Sequence, residues 1–317
     1  MMKRPARLED RHGQTLKGVV VEPDSGQYNR DLGFVYLPGV VMGVTAVHTI
    51  GFKLAERLAE VGYATALIDP PGVGESEGDF PAGTHEEVSE FVVEGNLVEG
   101  CLDIVDWMRK ELGMAQIAFI GHCGGALTGV ECAARHDAVR GVFMICPPPL
   151  RGKKGEKEIE RPEIADQYFK LYAQKIFSPD RWKRLFTGES DYRTLVTVVR
   201  SKSQRFIKSK LKKQQPESEG DDASTDDRRF NHLVVDAMKR SVDQDKTVTV
   251  VFGEKDIEIN NYRDLHRMYV DPRVPLVVIE DTSHGFTTAD GQTRLLELGL
   301  QFVEQLEGRH TTAGEAS

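Results

Sequence analysis

The sequence predicts an α/β fold, with a mostly parallel central sheet covered by helices on both faces and interrupted by a helical insertion. Three observations carry this. From about residue 16 to 146, and again from 247 to 306, short apolar runs alternate with stretches of helical period. The runs are continuously apolar rather than alternating, as expected of parallel strands buried on both faces. Between them, residues 151–245 break the pattern and reverse the charge, with 22 Lys/Arg against 17 Asp/Glu; the rest of the chain has 19 against 33. The domain reading is therefore a core in two parts, 1–150 and 246–317, with an insertion at 151–245.

Taken in order, residues 1–15 are polar and read as loose. Strands are expected at 16–21 and 33–37, the second closed by Pro38-Gly39. A helix spans 48–61, where Phe52, Leu54, Leu58 and Val61 share a face and Gly62 ends it. The next strand, 63–69, runs into Pro70-Pro71-Gly72-Val73-Gly74. Residues 91–112 read as one long amphipathic helix, with Leu97, Cys101, Ile104, Val105 and Met108 on one side. A strand at 116–122, a helix at 124–135 and a strand at 140–146 follow, stopped by Pro147-Pro148-Pro149. In the insertion, Ser178-Pro179-Asp180 is a helix start, Trp182 continues an apolar stripe, and residues 214–227 have little to bury and read as a mobile loop. The sheet resumes at 247–252 and 274–279, separated by a short helix near 262–269. A last helix covers 291–306.

The stretch that organises the chain is Gly121-His122-Cys123-Gly124-Gly125, at the junction of a strand and a helix. This is the form of a nucleophile elbow with cysteine as the nucleophile. Gly121 and Gly125 supply room where flanking side chains would collide, and the helix N-terminus favours negative charge on the sulfur. The main-chain N–H of Gly124 can serve an oxyanion. A thiol nucleophile needs a base, and the base an orienting acid. Asp256 and His284 supply them in the order nucleophile, acid, base, each after the C-terminal end of a strand, with Glu254 and Glu258 as other candidates for the acid. Gly74-Glu75-Ser76-Glu77-Gly78 also matches G-x-S-x-G, but no apolar helix follows and two glutamates flank the serine, so it reads as a decoy. His122 reads as structural or as lining the pocket.

These motifs resemble the α/β-hydrolase superfamily over nearly the whole chain outside the insertion. Asp69-Pro70-Pro71-Gly72-Val73-Gly74-Glu75-Ser76 is similar to its D-x-x-G-x-G-x-S loop, Gly253-Glu254-Lys255-Asp256 to its acid loop and Ser283-His284-Gly285-Phe286 to its histidine loop. The resemblance implies that Val40, after Gly39, gives the second oxyanion donor, and that 151–245 is a helical cap; Pro38 stands where the family usually has His. Dienelactone hydrolases share the Cys-His-Asp pattern. Hydrolases of exosortase gene clusters pair a cysteine elbow with a cap carrying an S-P-x-x-W-like segment, as at Ser178 to Trp182. The expectation is an esterase or thioesterase working through an acyl-enzyme. An acyltransferase and a non-catalytic small-molecule-binding protein on the same scaffold are the alternatives.

Composition sets bounds on partners. A net charge of −9 argues against general nucleic-acid binding, and no apolar run reaches the roughly 18 residues of a membrane helix. The basic N-terminus lacks the apolar core of a secretory signal. Four cysteines (Cys101, Cys123, Cys132 and Cys146) make no disulfide framework, so a cytoplasmic location is expected. No metal-ligand spacing or dinucleotide fingerprint occurs, so no cofactor is expected. The expected partner is a small-molecule acyl substrate, with a coenzyme A thioester or an acyl-carrier protein as donors of the right chemistry. Lys202, Arg205, Lys208, Lys210, Lys212 and Lys213 form either a solvated helix face or a dock for an acidic carrier.

Overall fold

The computed structural model describes residues 1–39, 50–80, 85–151 and 230–314. Within them the apolar runs become the strands of one eight-stranded sheet. In chain order the strands are β1 (Met2–Glu9), β2 (Thr15–Glu22), β3 (Leu32–Leu37), β4 (Thr65–Ile68), β5 (Gln116–His122), β6 (Val139–Ile145), β7 (Thr247–Gly253) and β8 (Leu276–Ile279). The helices are α1 (Ile50–Glu60), α2 (His85–Val93), α3 (Val98–Glu111), α4 (Gly124–Arg135), α5 (His232–Asp243), α6 (Ile259–Tyr269) and α7 (Ala289–Gly314).

The spatial order is β1-β2-β4-β3-β5-β6-β7-β8. β2 is antiparallel to both β1 and β4, and the other neighbours pair parallel. From β3 the chain first steps to one side, to β4, then returns to the other side as β5. The C-terminal ends of β3 and β5 thus flank a topological switch point, where open α/β sheets hold their ligands. α3, α4 and α5 cover one face of the sheet and α1 and α7 the other. Every residue of β3 and β7 is buried, which explains their unbroken apolar runs. Phe143 of β6 meets Phe302 of α7 at 5.5 Å between ring centroids. Burying a side chain of that kind contributes roughly 1.5–3 kcal/mol.

Three expectations need correction. Residues 1–15 are not loose, because β1 pairs with β2 from Met2↔Glu22 to Glu9↔Thr15 and buries Ala6 and Leu8. Its pattern was hidden by charged residues and Pro5, which an edge strand tolerates. The long helix expected at 91–112 is two helices. Gly95 takes a φ of +80° in the connecting turn, which ends α2 before α3 can begin. The insertion is also shorter than 151–245. Residues 1–151 and 230–317 form one compact unit and 152–229 another, so α5 belongs with the sheet, its Val234, Val235, Ala237 and Met238 buried. Leu150 and Phe230 pair in an antiparallel bridge where the chain leaves and re-enters the core. The helix start at Ser178, the stripe at Trp182, the basic segment from Lys202 and the loop at 214–227 lie outside the described residues.

One buried cation has no counterpart in the sequence reading. Lys246 is almost fully buried, and its Nζ donates to the main-chain carbonyls of His136 (3.0 Å) and Ala133. It thereby closes the C-terminal end of α4, where carbonyls lack helical partners and a positive charge suits the helix dipole.

Candidate active site

α4 starts from one of the tightest turns in the chain. Cys123 precedes it with φ 52° and ψ −120°, a conformation that costs a non-glycine residue on the order of 1–3 kcal/mol. The turn is held by the Cys123 N–H donating to the Ile145 carbonyl (2.8 Å) and the Ala126 N–H donating to the Cys123 carbonyl (3.0 Å). A Cβ on Gly121 would lie 2.4 Å from the Gly125 carbonyl oxygen. One on Gly125 would lie 2.4 Å from that of Leu37 and 2.5 Å from that of Pro38. Both glycines are therefore dictated by backbone approach, the first within the elbow and the second between α4 and the end of β3. Gly39 is a neighbour of the elbow, a Cβ there lying in ordinary contact with the Cys123 Cβ at 3.6 Å. Gly124 is the first residue of α4, where N–H groups have no helical acceptor. Val40 lies outside the described residues.

Asp256 and His284 meet. Asp256 follows β7 and is 4 % exposed, and its Oδ2 accepts from His284 Nδ1 at 2.7 Å while its Oδ1 accepts from the Glu258 N–H at 2.8 Å. The two loops that carry them are joined by the Lys255 N–H donating to the Thr282 carbonyl (2.8 Å). The other carboxylates considered for the acid have different partners. Glu254 accepts from the Asp281 N–H (3.0 Å) and Glu258 from the Asn261 amide (2.9 Å).

The electrostatics follow from these contacts. Burial alone would raise the Asp256 carboxyl, but its hydrogen bond and charge interaction with His284, the Glu258 N–H and the Cys146 thiol outweigh that and hold it below its ordinary value. Burial likewise disfavours a charged His284. The hydrogen bond to Asp256, with the influence of the Cys123 and Cys146 sulfurs, overrides it and holds the imidazole well above its ordinary value.

Two residues of this cluster were missed or undervalued in the sequence. His122 donates from Nε2 to the main-chain carbonyl of His284 (3.1 Å), and the two rings stand 5.0 Å apart. Cys146, directly after β6, brings its sulfur within 4.8 Å of both Asp256 and His284. Its only sequence signal was its position just beyond an apolar run. That spacing of sulfur, oxygen and nitrogen is close enough in principle for a metal ion. However, Nδ1 and the carboxylate already face each other across a hydrogen bond, so the trio reads as a hydrogen-bonded network. Ser76 is held elsewhere, its hydroxyl donating to the Asp69 carbonyl (2.6 Å) and accepting from the Lys17 N–H (2.9 Å), which makes it a tie between the β4 loop and β2. Beside Gly124 and Gly125 a small hollow of about 10 Å³ is walled by Leu37, Pro38, Pro70, Val73 and Leu97.

The comparisons with known proteins agree with this architecture. A sequence profile of the alpha/beta hydrolase fold matches residues 34–295. No curated protein matches the sequence. Among solved structures, the alpha/beta hydrolase GrgF from Penicillium sp. sh18 is similar at 17% identity and a TM-score of 0.58, over 96% of this chain and 99% of that one. The esterase Pf2001 from Pyrococcus furiosus is similar at 15% and 0.57, over 96% and 91%. Dienelactone hydrolase from Anabaena variabilis is similar at 14% and 0.53, over 96% and 97%. These likenesses are of fold. With the profile spanning most of the chain, and the sheet order and strand-end loops just described, the chain belongs to the alpha/beta hydrolase fold family.

Proposed function

We propose that this protein is an acyl hydrolase of the esterase or thioesterase type, with Cys123 as nucleophile, His284 as base and Asp256 as the carboxylate that orients it. The observation that carries this is the 2.7 Å bond between His284 Nδ1 and Asp256 Oδ2, formed across two strand ends, with Cys123 at a third interacting with the same imidazole. Fold alone would not license a reaction.

With Nδ1 committed to Asp256, Nε2 of His284 is the atom left to exchange a proton with Cys123 Sγ. In the first half-reaction the sulfur forms a bond to the acyl carbon, and the carbonyl electron pair moves onto oxygen, to be received by the N–H of Gly124 and, as the family resemblance implies, that of Val40. As the oxyanion collapses, the bond to the leaving oxygen or sulfur breaks, and the leaving group takes the proton from His284. In the second half-reaction His284 removes a proton from water, the hydroxide adds to the thioester carbon, and Cys123 leaves as thiolate with the acid as product. None of these steps calls for a cofactor. A thioester substrate makes the first exchange nearly neutral in energy, so coenzyme A or carrier-protein thioesters suit a cysteine nucleophile at least as well as esters. The apolar wall of Leu37, Pro70, Val73 and Leu97 fits an acyl group better than a charged one. The insertion is proposed to be the family's cap domain, as the resemblance implies.

The test is intact mass after brief exposure to a panel of acyl thioesters and activated esters, for the parent and for Cys123→Ala. An acyl adduct on the parent alone is expected, and its mass would begin to name the substrate. Equal turnover of every accepted substrate by the variant would refute the proposal. Product analysis with added amines and alcohols separates hydrolysis from acyl transfer.

A further inference from the structure

Four consecutive parallel strands, β5, β6, β7 and β8, each deliver one side chain to the same point above the sheet: Cys123, Cys146, Asp256 and His284. The proposed mechanism uses three of them. Cys146 is the fourth, and it follows the strand lying between that of the nucleophile and that of the acid. We infer that Cys146 is a positioning residue, its buried S–H holding the Asp256 carboxylate in the orientation that meets His284 Nδ1. This inference rests on the reading of Cys123, Asp256 and His284 as a triad.

Several observations support it. Cys146 is 1 % exposed, and its sulfur lies within 4.8 Å of the Asp256 carboxylate and a ring nitrogen of His284. Burial pushes its thiol up to about 12, so it remains protonated and able to donate throughout the neutral range. Oδ1 of Asp256 takes the Glu258 N–H and Oδ2 takes His284, each leaving further lone-pair capacity for a third donor. The backbone at Cys146 is held in a left-handed conformation, φ 47°, with its N–H on the Val251 carbonyl (2.8 Å). Non-glycine residues in that region are uncommon and gather at functional sites. Among the described residues five other than glycine have positive φ, and three of these, Cys123, Cys146 and Phe286, belong to the elbow, this position and the histidine loop.

The groups that face the pair are Cys123 from the elbow, His122 from the end of β5, Cys146 from the end of β6, and Glu258 through its main chain. Of these, a protonated Cys146 thiol can donate to the Asp256 carboxylate and favour its ionised form. Its loss would therefore loosen the carboxylate that fixes His284 Nδ1–H, and with it the imidazolium that would stabilise a thiolate at Cys123.

The experiment measures alkylation of Cys123 by iodoacetamide across pH, with the site assigned by mass spectrometry. The proteins are the parent, Cys146→Ala, Cys146→Val, Cys146→Ser and His284→Ala. At about pH 6 the Ala and Val variants are expected to react roughly tenfold more slowly than the parent, a shift of about one pH unit in the midpoint. Ser keeps a donor and should return the rate to within about threefold of the parent. Val fills the space without a donor, so a Val variant matching the parent would reduce Cys146 to packing and overturn the inference. So would three Cys146 variants all equal to the parent, or a Ser variant slowed as much as Ala. If Ala fails to fold, Val and Ser still decide the question. A parent profile identical to that of His284→Ala would instead refute the triad reading on which the inference depends.

Discussion

Replacing Gly125 by alanine adds one methyl group at a tightly constrained point of the elbow. The new Cβ would sit 2.4 Å from the carbonyl oxygen of Leu37 and 2.5 Å from that of Pro38. Both are backbone atoms, so no rotamer change relieves the clash, and α4 or the end of β3 must move by roughly half an ångström or more. Overpacking of this kind costs about 1–3 kcal/mol, which for a unit of this size lowers the melting temperature by about 2–10 °C. The functional loss should be larger, because the displaced segment carries Gly39 and leads to Val40; misplacing a catalytic element by about an ångström can cost on the order of 100-fold in rate. Gly308→Ala is the matched control. It makes the same chemical change in α7, where a Cβ would meet nothing within 4 Å. It should raise stability by roughly 0.5–1 kcal/mol, since glycine is the poorer helix former. Thermal melts, with the rate of Cys123 acylation or alkylation, read both variants. A Gly125→Ala protein with the parent's melting temperature and rate would refute the argument from close approach.

Asp256→Asn tests the coupling between acid and base through its pH dependence. Asp256 titrates below its ordinary value, so its contribution is present above roughly pH 4 and is lost as pH falls through the folded value. His284 titrates above its own, so its contribution is full below roughly pH 6.5 and is lost as pH rises through the folded value. The stability gap between parent and variant should therefore be widest between those limits in denaturant titrations, and a gap that keeps growing toward pH 9 would contradict it. Lys246→Met should cost about 1–3 kcal/mol in the same titrations by removing the side-chain donor from the buried Ala133 carbonyl at the end of α4 and one of the two donors, the other being the Val139 N–H, from that of His136. The pH profile of Cys123 alkylation should not change. Ser76→Ala should leave acyl-enzyme formation untouched and cost about 1 kcal/mol in urea unfolding, through its bonds to Asp69 and Lys17; loss of the adduct would reinstate it as a nucleophile.

Much of the sheet was legible because strands buried on both faces leave a local mark, an unbroken apolar run such as 247–252. β1 was not, because an edge strand need bury only alternate residues, and here those are only Ala6 and Leu8. The break between α2 and α3 hid inside a continuous amphipathic pattern, where Gly95 looked no different from other helical glycines. At the site, Gly121 and Gly125 were readable because the elbow imposes its spacing within five residues. Asp256 and His284 could be placed at strand ends by order alone. The roles of Cys146 and Lys246 could not be read, and that of His122 only as far as structural or pocket-lining. Each depends on a contact across the fold, from Cys146 to Asp256, from His122 to His284 and from Lys246 to His136, with no fixed spacing to announce it.

The pairing of Leu150 with Phe230 has a consequence for how the gene can vary. The chain departs and returns through adjacent points, so the sheet registers whatever lies between only as a loop whose ends are already clasped. Closing such a loop costs about 0.6 kcal/mol for each doubling of its length. Exchanging residues 152–229 for a turn of about five residues, or for a longer segment, should therefore change core stability by only about 2–3 kcal/mol. The intervening segment is thus expected to tolerate changes of length and sequence, while Cys123, Asp256 and His284 follow strands of the unit formed by 1–151 and 230–317.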